Sequence, residues 1–283
     1  MASEIGSSQP GQYPGPEMDL FIYYLEGRLV SEDELSDGNF IGNWEESDTS
    51  FLFFSKPRPD LIHRLLAKQP HLTLIDQYHM TYDEWQGEKF TAFHVGRFHI
   101  YPPWESPRRQ PEDIDIVLDP GLVFGNGTHP TTRDCILALE LIFSKESVDS
   151  VLDLGTGSGI LSLAAAKLGG RRVHAVDINH LAAKTARRNV CLNGLEDRIL
   201  VTRGRAETFI HLPSDLIIAN IHYDVMKTLI LQDNFYKNRW FVLSGILRSQ
   251  AKDITGMLAR SPANILKSWE HDGTWYTFYG EIR

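Results

Sequence analysis

The rhythm of apolar positions changes along this chain. From Asp19 they fall in short runs, and LFIYYLEG and SFLFFS (Ser50 to Ser55) each predict a strand. The acidic stretch between them, with Gly38, Gly42 and Asn43, reads as loop. PDLIHRLLAKQP predicts a helix, because Leu61, Leu65 and Leu66 share a face and Pro59 suits its start. LTLIDQYHM predicts another strand, and Thr81 to Glu88 a linker. FTAFHV and RFHIYP (Arg97 to Pro102) are two short strands, and Pro102, Pro103, Pro107 and Pro111 mark an irregular approach to DPGLVFGNGTHPTT, Asp119 to Thr132. That stretch is too broken for a strand and too apolar for an ordinary solvated loop.

Beyond it, strands and helices alternate. THPTTRDCILALELIF is a helix with Pro130 in its first turn, and Ser150 to Leu154 a strand. ILSLAAAKLGG is a helix closed by Gly169 or Gly170. RVHAVDIN, RILVTRG, DLIIAN and WFVLSGIL are strands; LAAKTARRNVCLNG, HYDVMKTLILQDNF and QAKDITGMLAR are helices; ILKSWEHDGTWYTFYGEI is a closing hairpin. The alternation predicts an α/β fold, a doubly wound, mostly parallel sheet with an antiparallel edge from the hairpin. The expected organisation is a disordered tail over residues 1–18, a small α+β domain over 19–80, and a linker plus catalytic domain over 81–283.

Bulk properties narrow this picture. The 283 residues suit two domains, and 42% hydrophobic content allows a real core. A net charge of −9 argues against phosphate-driven nucleic-acid binding. Cys135 and Cys191 match no metal-ligand spacing and read as reduced structural thiols. No apolar run reaches the length of a membrane span and the first residues lack a signal core, so a cytoplasmic protein is expected; a monomer is expected as well.

The strongest local motif is VLDLGTGSGILSLAAAKLG. A strand runs into Gly155, Gly157 and Gly159, and a helix leaves. The spacing G-x-G-x-G departs from the G-x-G-x-x-G of dinucleotide sites, and no GxxxxGK[ST] occurs. It has the form seen in class I methyltransferases that bind S-adenosylmethionine, which has no phosphate to hold. A purely structural turn is the alternative. Asp177 lies 22 residues after Gly155 at a strand end, where a ribose could give its carboxylate two hydroxyl hydrogen bonds. Taken alone, Asp177 reads equally as a helix cap or a surface acid. Asp153 could orient the turn's backbone. Glu207 could lie near an adenine edge or simply start a helix. Asn220 ends DLIIAN, where its carbonyl could accept a hydrogen from an incoming amine; an ordinary strand-end Asn is the alternative.

Taken in order, DPGLVFGNGTHPTT, the glycine turn, VDIN, IIANI and LSGIL closely resemble the ribosomal protein L11 methyltransferase family (PrmA type), from Arg97 to the C-terminus. The ending GTWYTFYGEIR fits as well. The resemblance implies a seven-stranded, Rossmann-like methyltransferase sheet and S-adenosylmethionine as cofactor. It also implies a large-subunit ribosomal protein as substrate, methylated on lysine side-chain and N-terminal amines. By motif match the cofactor contacts fall on Thr132, Gly155, Asp177 and Asn220, with Gly157 and Gly159 in the same turn. Phe124 would close over the pocket, Gly125 and Gly127 would supply turns, and Thr132 would offer its hydroxyl and N–H to a carboxylate. Thr131 is a weaker second candidate and His129 reads as a capping residue. The chain departs from the family after Asn220, at Ile221-His222-Tyr223-Asp224. His222 and Asp224 read evenly as proton acceptors or as solvated helix-start residues. A second departure is that no first helix is evident between Gly27 and Ser50. Methylation of another protein or a small amine, and non-catalytic cofactor binding, remain the rival readings.

Overall fold

The computed structural model describes residues 18–35, 37–87, 89–105, 110–123 and 125–283. The expected N-terminal tail, apart from Met18, and the Phe124 lid lie outside the described residues. Two compact units divide the chain, Met1–Phe90 and Thr91–Arg283.

The first unit is built on β1 (Asp19–Glu26), which pairs antiparallel with β3 (Thr49–Phe54) on one side and β4 (Thr73–Thr81) on the other. β2 (Phe40–Glu46) pairs antiparallel with β3, giving the order β2-β3-β1-β4. This is the sheet of a β-α-β-β-α-β unit, with the first helix reduced to a 3-10 turn at Asp33–Leu35. α1 (Pro59–Lys68) carries the crossover from β3 to β4. Its Leu61, Ile62 and Leu65 join Tyr23, Leu25, Leu52 and Phe54 in one buried cluster, each such side chain contributing ~1.5–3 kcal/mol.

Two expectations fail here. The stretch read as loop contains β2: Ile41 and Asn43 point inward, and Ser47 at φ 53° makes the tight turn that folds β2 onto β3. Polar residues hid a strand that is buried on one face only. The stretch read as linker contains α2 (Tyr82–Gln86). The Thr81 hydroxyl accepts from the Glu84 N–H, the Glu84 carboxylate accepts from the Thr81 N–H, and Gly87 closes the turn.

The second unit opens with a three-stranded sheet, β5 (Phe93–Val95), β6 (Phe98–Tyr101) and β7 (Ile114–Val117). β7, parallel to β6, lies within the proline-marked stretch expected to be irregular. The large sheet contains β8 (Ser150–Leu154), β9 (Arg172–Asp177), β10 (Ile199–Arg203), β11 (Leu216–Asn220), β12 (Trp240–Leu247), β13 (Ala263–His271) and β14 (Trp275–Ile282). Its order is β10-β9-β8-β11-β12-β14-β13. Of these only β14 runs against the rest. The predicted doubly wound α/β sheet of seven strands, with its antiparallel hairpin, is therefore present.

Helices follow the strands: α3 (Pro130–Lys145) before β8, then α4 (Ile160–Leu168), α5 (His180–Leu192), α6 (Ala206–Phe209), α7 (Tyr223–Ile230) and α8 (Arg248–Leu258). The helix predicted from HYDVMKTLILQDNF stops at Ile230 and resumes as a 3-10 turn, Asp233–Lys237. α3, α4 and α5 pack in succession, and so do α6, α7 and α8. β11 is buried from Leu216 to Ala219, as a strand covered on both faces must be. Leu152 and Leu154 of β8 join the cluster of Met226, Leu229, Ile254 and Leu258, while Asp153 between them faces Ser162 of α4. Strand order reverses between β8 and β11, so the carboxyl ends of these two strands bound the crevice where this architecture binds ligands.

Candidate active site

The glycine turn leaves β8 at this reversal. Gly155, Gly157 and Gly159 all take positive φ, at 77°, 57° and 86°, a region costing an L side chain ~1–2 kcal/mol. The Val176 carbonyl of β9 accepts from both the Gly155 and the Thr156 N–H, at 2.8 and 3.0 Å, and pins the turn to the next strand. The glycines differ in what crowds them. A Cβ on Gly155 would lie 2.0 Å from Cγ2 of Ile221, and one on Gly159 3.1 Å from Cβ of Ala186. Gly159 thus lets α4 start close against α5, a packing role.

Asp177 closes the turn from β9. Its Oδ2 accepts from the Gly157 N–H and its Oδ1 from the Asn179 N–H, both at 2.9 Å. Asn179 in turn caps α5. Burial raises the Asp177 pKa, and the two N–H bonds pull it back down. Each carboxylate oxygen keeps a second lone pair for a hydroxyl donor. Asp153 is wholly buried, and its Oδ2 accepts from the Thr156 and Ser162 hydroxyls, both at 2.6 Å. It therefore steadies the turn through side-chain hydroxyls. Desolvation pushes its pKa up to about 6, against the pull of those two bonds.

Asn220 and Thr132, 88 residues apart in sequence, meet at this rim, with Nδ2 donating to Oγ1 at 3.4 Å. The Asn220 carbonyl oxygen sits over Gly245, where a Cβ would stand only 2.9 Å away. Thr131 and Thr132 are buried in the first turn of α3. His129 caps that helix: its Nδ1 accepts from the Thr131 N–H at 3.3 Å and pairs with the Thr131 hydroxyl at 2.7 Å. The Thr131 hydroxyl is thereby engaged, which leaves Thr132 as the one beside Asn220.

The loop between β7 and α3 is held by residues that pattern reading missed. Asn189 Nδ2 donates to the carbonyls of Asp119 and Ser158, both at 2.8 Å, and its Oδ1 accepts from the Asp119 N–H at 2.9 Å. One turn on, Asn193 donates to the Val117 carbonyl at 2.7 Å and accepts from its N–H at 3.1 Å. The Ser158 hydroxyl donates to the Gly125 carbonyl at 2.5 Å. Arg188 Nε lies 3.0 Å from the buried Asp119 carboxylate. Gly125 and Gly127 have φ of 97° and 87°, and a Cβ on Gly127 would strike Ile160 at 2.6 Å. The one available signal was Asn189 in mid-helix, where Asn is a poor choice unless its side chain has backbone to bind; Asn193 follows as the C-cap of the same helix.

The remaining candidates fall outside this rim or at its margin. His222 caps α7, its Nδ1 accepting weakly from the Asp224 N–H at 3.4 Å. Its side chain is 73% exposed and that of Asp224 78%. Glu207 sits in α6, paired with Arg205 at 3.1 Å. A half-buried pair also went unforeseen: the buried Asp134 of α3 receives His271 Nε2 at 3.0 and 2.9 Å.

This rim has a glycine turn, a carboxylate with spare lone pairs, a helix N-terminus carrying a threonine, and a strand-end amide. Those groups fit a nucleoside with a carboxylate tail, and the amide can orient an amine. Residues 61–282 match the model of the family described as ribosomal protein L11 methyltransferase (PrmA). A ribosomal protein L11 methyltransferase of Desulfitobacterium hafniense is 41% identical over 187 residues, 65% of this chain and 59% of that protein. One of Staphylococcus carnosus is 34% identical over 236 residues, 78% of this chain and 75% of that protein. The solved ribosomal protein L11 methylase of Lactobacillus delbrueckii subsp. bulgaricus superposes with a TM-score of 0.58 at 30% identity, over 68% of this chain and 98% of that one. In the matches to D. hafniense, Exiguobacterium and Anoxybacillus flavithermus the chain spans only 51–59% of the relative's length. The match over residues 61–282, on a sheet of this order with this turn at its reversal, identifies the chain as a member of the ribosomal protein L11 methyltransferase family.

Proposed function

We propose that this chain transfers methyl groups from S-adenosylmethionine to lysine side-chain and N-terminal amines of large-subunit ribosomal protein L11. The observation that carries the proposal is the meeting of Asn220 with Thr132 beside the glycine turn and Asp177. When bound, S-adenosylmethionine supplies a methyl carbon activated by a sulfonium. Asp177 takes the ribose hydroxyls on its free lone pairs, and Gly157, without a side chain, lets the cofactor approach the turn's backbone closely. Thr132, at the electropositive start of α3, receives the cofactor's carboxylate. Asn220 accepts a hydrogen from the incoming amine and so aims its lone pair at the methyl carbon. A lysine of pKa near 10.4 costs about 4–5 kcal/mol to neutralise at pH 7. Burial of the amine and repulsion from the neighbouring cation lower that cost, so positioning outweighs base strength.

The N-terminal α+β segment is assigned to recognition of the ribosomal protein. The enzyme acts as a monomer in the cytoplasm, where ribosomal proteins are made, and without direct nucleic-acid recognition. Among the described residues no helix is long and apolar enough to cross a membrane. Labelled S-adenosylmethionine incubated with the chain and methyl-deficient ribosomal proteins tests the reading by mass spectrometry. Label on lysine or N-terminal amines of L11 supports it. Label on another protein, or cofactor binding with no transfer, overturns it. Removing residues 1–90 is expected to keep cofactor affinity and abolish transfer to L11.

A further inference from the structure

The small sheet of the second unit carries a side-chain cluster that methyl transfer does not use. His94 of β5 and His99 of β6 are direct cross-strand partners. His99 and Asp115 of β7 are partners in the next pair. Residues so paired share one face of a sheet, and Asp113, two before Asp115, lies on that face as well. One ring nitrogen of each histidine and a carboxylate oxygen of Asp113 lie within 4.8 Å of one another. His94 Nε2 is 3.1 Å from Asp113 Oδ2. The hairpin joining β5 to β6 turns at Gly96, φ 53°, so this face is set by a tight local unit and not by a long loop.

We propose that His94, His99 and Asp113 form a binding site for a divalent transition ion of the zinc class, with solvent in the fourth position. Two imidazoles and one carboxylate are the ligand set of an open zinc site, with bonds of ~2.0–2.2 Å. Asp115 Oδ1 lies 3.3 Å from His99 Nδ1. That is the carboxylate–histidine arrangement that fixes the tautomer of a metal-bound ring and leaves Nε2 for the ion. The histidine rings stack at 4.5 Å and 15°, beside the carboxylates of Asp113 and Asp115. Burial is graded as an open site requires: the His99 side chain is 5% exposed and Asp113 13%, while His94 is 46% exposed. The ion would clip the β5–β6 hairpin to the start of β7, the strand that leads into the Asp119 loop.

Titration of tag-free full-length chain with zinc chloride, followed by calorimetry, and with cobalt(II), followed by visible absorption, tests the site. The expected result is one equivalent of zinc, a cobalt spectrum of four-coordinate intensity and a raised melting temperature. Asp115→Asn should weaken binding about 10- to 100-fold, the usual cost of losing an orienting partner. His94→Gln, a change at an exposed ring, and Asp113→Asn should weaken it further. Less than one equivalent on the wild-type chain overturns the proposal, as does unchanged zinc affinity in His94→Gln.

Discussion

Gly155→Ala offers a sharp test of how the glycine turn and the acceptor amide are coupled. The new methyl group would stand 2.0 Å from Ile221 Cγ2. Carbon atoms rest at ~3.5–4.0 Å, so Ile221 must retreat by about 1.5 Å or more. Overpacking of this kind costs ~1–3 kcal/mol. The positive φ of 77° adds a second penalty, ~1–2 kcal/mol for an L side chain. A stiffer unfolded chain returns ~0.4–1 kcal/mol. The net loss is about 1–4.5 kcal/mol, a large share of the ~5–15 kcal/mol that holds a domain together. Ile221 is also the residue after Asn220, and a misplacement of ~1 Å can cost ~10²-fold in rate. Urea unfolding of four proteins reads the effect: wild type, Gly155→Ala, Ile221→Ala and the double variant. If the clash is real, truncating Ile221 relieves it, and the cycle shows ~1–3 kcal/mol of favourable coupling. Strictly additive losses would refute the contact and leave only backbone strain.

Four further outcomes follow from the same rim. Asn220→Ala should bind S-adenosylmethionine with near wild-type affinity by calorimetry and lose most turnover; equal activity sinks the aiming role. His222→Asn keeps a good helix cap, so a loss below about tenfold is expected, against the ~10²–10⁴ that a general base supplies. Asp153, with its pKa pushed from 3.8 to about 6, holds a proton in the folded chain that the unfolded chain has released. Its contribution is therefore full below about pH 4 and lost as pH rises through about 6, a fall of roughly 3 kcal/mol; unfolding free energies at the two ends should show it in wild type and not in Asp153→Asn. Asn189→Leu strands an N–H and two carbonyls at ~1–3 kcal/mol each, which should appear as a large drop in urea midpoint.

What was legible in the sequence was what neighbours along the chain decide. The glycine turn, the cap at His129 and the strand run before Asp177 each need only a dozen adjacent residues. The parallel register of β8 with β9 then brings Asp177 to the turn. The asparagine clamp was hidden because Asn189 and Asp119 are 70 residues apart and meet only once α5 has packed. β2 was hidden by glycine and acid residues, since half its face needs no apolar side chains. The capping box at Thr81 and Glu84 was visible and was passed over because the helix it starts has five residues. His222 stood balanced between two roles on sequence; in the fold it is exposed and accepts from the Asp224 N–H, and the His222→Asn variant tests the other role.

The loop from Asp119 to Thr132 is therefore best understood through its anchors. Asn189 bonds Asp119 and Ser158 at once, and Ser158 bonds Gly125, so the loop, the glycine turn and α5 share one hydrogen-bonded junction. At its far end the loop becomes α3, whose Thr132 meets Asn220. A change that loosens the junction is therefore expected to be felt at both ends of the loop, at the glycine turn beside Asp177 and at Thr132 beside Asn220. Glycines are required along this path for a mechanical reason: Gly125, Gly127, Gly155 and Gly159 each stand where a Cβ would meet a neighbour at 3.2 Å or less. Close approach of three chain segments, more than freedom of any one of them, is what lets a short apolar loop form one wall of the site.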